Sequence, residues 1–186
     1  SFLNSWLCGE TIFHVVFCLI ENRGFTTGAG AVEIAVKSAV LLRKSAGFIA
    51  LKPGYHGLDL GALAVTGQDR FKAPIHSLVE KIKTSFLEIP LHTHAMRESL
   101  DKLMALDFAG DAQKIAGLIV EPVLGRGGIQ VLSRDHLRVL RQWTAERGIV
   151  LIFDEIFCGL GRTGVMSHSD EEIRADISVF GKALGG

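Results

Sequence analysis

From about residue 25 onward, short apolar runs rich in β-branched and aromatic residues alternate with longer amphipathic runs, and this alternation constrains the fold more than any other feature of the chain. Strands that read as continuous apolar runs are buried on both faces, and consecutive parallel strands need a helical crossover between them. Together these features predict an α/β fold of three layers: a mostly parallel sheet covered by helices. Strand candidates are Phe48–Lys52, Leu63–Thr66, Leu118–Glu121, Val150–Asp154 and Ile177–Phe180. Ala29–Lys44 places Val32, Ala35, Val36, Ala39 and Val40 on one helical face, while Arg97–Leu106 and Asp135–Arg147 read as helices, the last burying Leu137, Leu140 and Trp143. Ligands of such sheets gather at the carboxyl ends of the strands, so the chemistry is expected just after them.

With 48% hydrophobic residues, 186 residues can bury a sizeable core. Twenty basic residues balance twenty acidic ones, so no net field draws the chain to nucleic acid or an anionic membrane, and a small polar substrate suits that balance better. Cys8, Cys18 and Cys158 are odd in number and have no CxxC or Cys/His metal spacing. That usage points to reduced thiols, a cytoplasmic setting and no metal. Asn4, Glu10 and His14 interrupt the apolar stretch from Phe2 to Ile20, leaving it short of a membrane span and unlike a signal peptide. It reads as a buried helix followed by a strand. The absence of an initial Met and the final Gly185-Gly186 give both ends a cut look.

Five motifs carry candidate chemistry. Phe25-Thr26-Thr27-Gly28-Ala29-Gly30 opens directly into a helix, where small residues and the helix dipole favour an anion and Thr27 offers a hydroxyl. A capped helix start is the plain alternative, and no Walker A loop occurs. Leu151-Ile152-Phe153-Asp154-Glu155 is an apolar strand ending in two acids, suited to holding a protonated ring nitrogen, though strand ends often carry solvated acids. Gly159-Leu160-Gly161-Arg162-Thr163-Gly164 matches GxGxxG but opens no amphipathic helix, so a dinucleotide site is disfavoured. Asp176 to Gly186 delivers Lys182 from a strand into a glycine turn. Phe180, Ala183 and Leu184 beside it favour, by desolvation, the neutral amine that forms Schiff bases, although most lysines are surface charges. Tyr55, in Pro53-Gly54-Tyr55-His56-Gly57, can stack on a planar ring or simply pack over its turn. His76, His92 and His94 have no metal-site context.

In this order the motifs resemble those of the class III aminotransferases, a branch of the fold-type-I pyridoxal-phosphate enzymes. The resemblance runs from about Phe25 to Gly186, and the Asp154-Glu155 block followed by Gly-Lys-Ala-Leu-Gly-Gly carries most of it. It implies pyridoxal 5′-phosphate as cofactor, with Thr27, Gly28 and Ala29 on the phosphate, Tyr55 on the ring, Asp154 on the ring nitrogen, Glu121 of Val-Glu-Pro-Val at a strand end, and Lys182 as Schiff-base lysine and general acid/base. It further implies residues 25–186 as a cofactor-binding large domain truncated after the lysine, with 1–24 unassigned. Activity would move an amino group between a small-molecule amino donor and a 2-oxo acid, in a homodimer when full length.

Three positions depart from the pattern. Leu58 stands where members acting on ornithine, acetylornithine or γ-aminobutyrate commonly carry arginine. Arg126 stands where they commonly carry glutamate. Phe157 replaces a frequent glutamine. The resemblance therefore disfavours those three substrates. An aminomutase of the glutamate-1-semialdehyde type would use the same cofactor residues, and an inert fragment or pseudoenzyme is the alternative outside catalysis.

Overall fold

A computed structural model describes residues 14–17 and 27–184. Its centre is a six-stranded sheet in which every neighbouring pair is parallel, in the order β1 (His14–Phe17), β8 (Ile177–Phe180), β7 (Val150–Asp154), β4 (Ile115–Val120), β2 (Gly47–Lys52), β3 (Thr84–Glu88). A separate antiparallel ribbon pairs β5 (Val123–Leu124) with β6 (Gln130–Val131). The three-layer α/β expectation is met.

Period-two alternation divides the side chains between two layers. Along β2, Phe48 and Ala50 face a layer containing α1 (Gly28–Arg43) and α2 (Leu60–Val65), whereas Ile49 and Leu51 face α5 (Thr93–Phe108) and α6 (Arg134–Arg147). The first layer is built on Ala31, Ala35 and Ala39, whose small side chains let α1 lie close across the sheet. The second is filled by bulk: Trp143, Leu140, Leu100, Met96 and Phe153 are fully buried. Fully burying an aliphatic side chain of this size contributes about 1.5–3 kcal/mol, and the Trp143 indole N–H is satisfied by Asp101 at 2.8 Å. Each long helix ends on a left-handed residue, Lys44, Ala109 or Gly148.

Four expected strands form, two with the expected bounds and two within three residues of them. Leu63–Thr66 does not: it lies in helix α2, with Asp59 at the N-cap position and residues 61–65 all buried. A short apolar run buried on every side has no period to betray its type. The unanticipated strand β3 is an edge strand in which Phe86 and Leu87 are the only two apolar residues of five, a weak signal. β1 lies within the segment 1–24 left unassigned by the motifs and pairs with β8. The helix expected before it falls outside the described residues, as do Cys8, Cys18, Phe25, Thr26 and Gly185-Gly186.

From β2 the chain runs outward to β3, returns through α5 to β4 on β2's other side, and continues away through α6 to β7 and then β8. The direction of winding therefore reverses between β2 and β4. At such a switch point the connecting loops part and leave a crevice at the carboxyl ends.

Candidate active site

The residues following four adjacent strands meet at that crevice. Tyr55 and His56 follow β2, Glu121 follows β4, Asp154 closes β7 and Lys182 follows β8. They line a cleft of about 480 Å³ together with Gly28 and Ala29 of α1 and with Arg126, Ile156 and Phe157. Its floor is buried and hydrogen-bonded. Asp154, 3% exposed, accepts the Ile156 N–H on Oδ1 at 3.2 Å and places Oδ2 2.8 Å from His56 Nδ1. A carboxylate only accepts, so His56 Nδ1 carries the hydrogen. Burial alone would lower the His56 pKa, but the hydrogen bond to Asp154 and the charges of Asp154 and Glu121 outweigh it and raise the value. The His56 backbone N–H is held by Thr66 Oγ1 at 3.0 Å, while its ring Nε2 is buried without a hydrogen-bond partner.

Glu121 is the second buried acid. Its carboxylate accepts the Tyr55 N–H at 2.7 Å and the Gly125 N–H at 3.2 Å, and so ties the loop after β2 to the turn after β5. Burial pushes its pKa up to about 7, against the attraction of His56 and with the repulsion of Asp154. Gly57 makes this convergence possible. Its φ of 129° suits only glycine, and a Cβ there would lie 2.5 Å from Ala29 Cβ, so the Tyr-His turn can rest directly on the start of α1.

At that start, Thr27 is the N-cap: its Oγ1 accepts the Gly30 N–H at 3.0 Å. Gly28 and Ala29 line the cleft with first-turn N–H groups that no helical carbonyl can reach, and no acidic side chain occupies the turn. Thr27 itself is exposed beside the lining.

Lys182 departs from the expected setting. It lies on the lip, exposed, in the left-handed region at φ 41°, where it opens a 3₁₀ turn over Lys182–Leu184. Phe180 is buried beside Gly159 and Ala183 is exposed, so those two residues do not enclose it, and Leu184's side chain falls outside the described residues. The left-handed turn lifts the lysine out of the strand and onto the cleft, with Nζ 5.7 Å from the Phe157 ring centroid.

Arg126, from the turn between β5 and β6, lays its guanidinium 4.4 Å over the Tyr55 ring and 6.0 Å from that of Phe71. Leu58 is exposed and outside the lining. The GxGxxG segment forms turns in which Leu160, Gly161 and Gly164 have positive φ, and it opens no helix.

His56 was missed by sequence reasoning, although it stands next to Tyr55 in the motif. Its partner Asp154 is remote in the chain, and only the fold brings them together. Glu155, Cys158 and His168 form another unanticipated group, their potential ligand atoms within 4.8 Å of one another. The Glu155 carboxylate accepts from the Ser167 hydroxyl and the His168 N–H and lies 3.1 Å from His168 Nδ1, which anchors the glycine turns to β7. Burial, reinforced by the Glu155 charge, pushes the Cys158 thiol up to about 12.

Comparison with known proteins agrees with this geometry. The family profile described as aminotransferase class III matches residues 13–186. The acetylornithine aminotransferase of Methanocaldococcus jannaschii is 33% identical over 91% of this chain and 39% of its own length. A putative [LysW]-aminoadipate semialdehyde/glutamate semialdehyde transaminase of Pyrobaculum aerophilum is 30% identical over 94% of this chain and 40% of its own. The chain thus spans about two fifths of the length of these curated relatives. Among solved structures, an amine transaminase from an uncultivated Pseudomonas species, in its PLP-bound form, superposes with a TM-score of 0.69 at 30% identity over 80% of this chain and 36% of its own. From the family match, the relatives and the shared fold together, this chain belongs to the class III aminotransferase family.

Proposed function

We infer that the protein is a pyridoxal-phosphate-dependent transaminase, moving an amino group between an amino donor and a 2-oxo acid. The observation that carries this reading is the meeting of Tyr55, Glu121, Asp154 and Lys182 at the ends of four neighbouring strands, beside the start of α1. The residues present fit the cofactor. Free N–H groups at Gly28 and Ala29 suit a phosphate, with Thr27 bracing their turn. Tyr55 offers a ring face and Ile156 an apolar one. Each Asp154 oxygen has one close protein partner and so keeps acceptor capacity toward the cleft.

When bound, pyridoxal phosphate supplies an electron-poor ring that delocalises the electron pair left by loss of a proton from the amino-bearing carbon. The chain's own groups do the rest. Asp154 would be the acceptor for a protonated ring nitrogen. His56, held at 2.8 Å, fixes that carboxylate's direction. Glu121 fixes the Tyr55 backbone. Lys182 Nζ would hold the cofactor, and its amine would serve as the base that takes the proton from the substrate's amino-bearing carbon. A homodimer and a cytoplasmic setting complete the reading; among the described residues no helix is long and apolar enough to cross a membrane.

Borohydride reduction of the cofactor-loaded protein followed by peptide mapping is expected to label Lys182, and Lys182→Ala is expected to lose the label together with all transfer from an amino donor to a 2-oxo acid. Labelling of another lysine, or full activity in Lys182→Ala, would overturn the assignment.

A further inference from the structure

The charges of the cleft do not balance. Both acids on its floor are committed: Asp154 to His56 and the Ile156 N–H, Glu121 to the Tyr55 and Gly125 N–H groups. Arg126 has no carboxylate partner among the described residues and is exposed where it lines the cleft. It is nonetheless held in place. Its guanidinium lies over the Tyr55 ring at 4.4 Å, Tyr55 packs edge-on against Phe71 at 5.4 Å, and its own carbonyl receives the Gln68 side-chain amide at 3.4 Å. A guanidinium held over a ring keeps its N–H donors, and their planar fork matches a carboxylate in two parallel hydrogen bonds.

We propose that Arg126 is a specificity-determining residue that receives a second carboxylate of the substrate, remote from the reacting carbon. The substrate class is then a dicarboxylic amino or oxo acid, and an amine with a second cationic end is repelled from the same place. The inference rests on the transaminase reading and adds its substrate class. Arg126 acts at a distance from the proton transfer and leaves the roles of Lys182 and Asp154 as they stand.

Calorimetric titration of the cofactor-loaded protein with glutarate and with pentanoate, two unreactive acids differing by one carboxylate, tests it. Glutarate is expected to bind more tightly than pentanoate, and Arg126→Gln to weaken glutarate about tenfold or more while moving pentanoate far less, since a hydrogen-bonded charge lost from one ligand alone is worth about that factor. Arg126→Lys should keep a preference for glutarate, and Arg126→Glu should abolish it. Equal binding of the two acids by the unaltered protein, or equal losses in Arg126→Gln, would overturn the proposal and leave Arg126 as a packing partner of Tyr55. The readout needs no turnover. A protein that selects glutarate through Arg126 but transfers no amino group would refute the transaminase reading alone, whereas amino transfer without glutarate selection would refute this proposal alone.

Discussion

The floor and the rim of the cleft are built on opposite principles. On the floor, Asp154, His56 and Glu121 are 3%, 3% and 5% exposed, and their carboxylate oxygens and the His56 Nδ1 are already engaged with other parts of the chain. On the rim, Lys182 and Arg126 are exposed, and neither forms an ion pair among the described residues. The floor is thus oriented before any ligand arrives, and its geometry costs nothing to assemble at the moment of reaction. The rim holds positive charge in reserve: Arg126 is placed over Tyr55, yet its charge, like that of Lys182, has no carboxylate partner among the described residues.

The largest effect that separates the two is expected from Asp154→Asn. It keeps the shape of the floor but removes the charge, so turnover should fall by about a hundredfold or more, while borohydride still attaches the cofactor to Lys182. Loss of that attachment as well would mean that floor and rim act as one unit. A smaller effect, on stability, isolates Glu121. Its folded pKa of about 7 lies above its ordinary 4.5, so between those values the folded protein holds a proton that the unfolded chain has released. Its contribution is therefore favourable at low pH and is lost as pH rises through that window. His56, also raised from its ordinary 6.5, works in the same direction. Melting temperatures at pH 5 and pH 8 should show the unaltered protein losing on the order of 2 kcal/mol to Glu121 across this range, and Glu121→Gln losing less. A Glu121→Gln protein with the same pH dependence would show that the buried acid does not titrate there. The smallest effect belongs to the α1 start, which stands between floor and rim: Thr27→Ala should cost about 1 kcal/mol of stability in denaturant unfolding and modestly weaken phosphate-dependent cofactor uptake. An uptake loss without the stability loss would make Thr27 a direct ligand.

Much of the floor's scaffold was legible in the sequence because each acid closes a strand buried on both faces, and continuous apolar runs such as Val150–Phe153 have one reading when turn residues bound them. Gly28, Ala29, Tyr55, Asp154 and Lys182 do converge on one cleft. What escaped were features decided by tertiary contact. The buried surroundings of Leu63 turned an apparent strand into α2, and β3 joined the sheet as an edge strand with only two of its five residues apolar. His56 acquires its meaning from an acid 98 residues away. Lys182 does follow a strand into a turn, as expected, but its left-handed conformation exposes it where apolar neighbours suggested enclosure.

The strand order also fixes a timetable. From β2 toward the Lys182 side, the sheet takes on β4, β7 and β8 in the order in which they leave the ribosome, each beside the one before, so the floor residues after β2, β4 and β7 can gather while the rest of the chain is still being made. β1 breaks that sequence. It is the earliest described strand, yet it pairs residue for residue with the latest described one, His14 against Ile177 through Phe17 against Phe180, and so must wait for β2, β4, β7 and β8 before closing the longest loop among the described pairings. The strand that delivers Lys182 is flanked by one made well before it, so the lysine's setting waits on a long-range pairing.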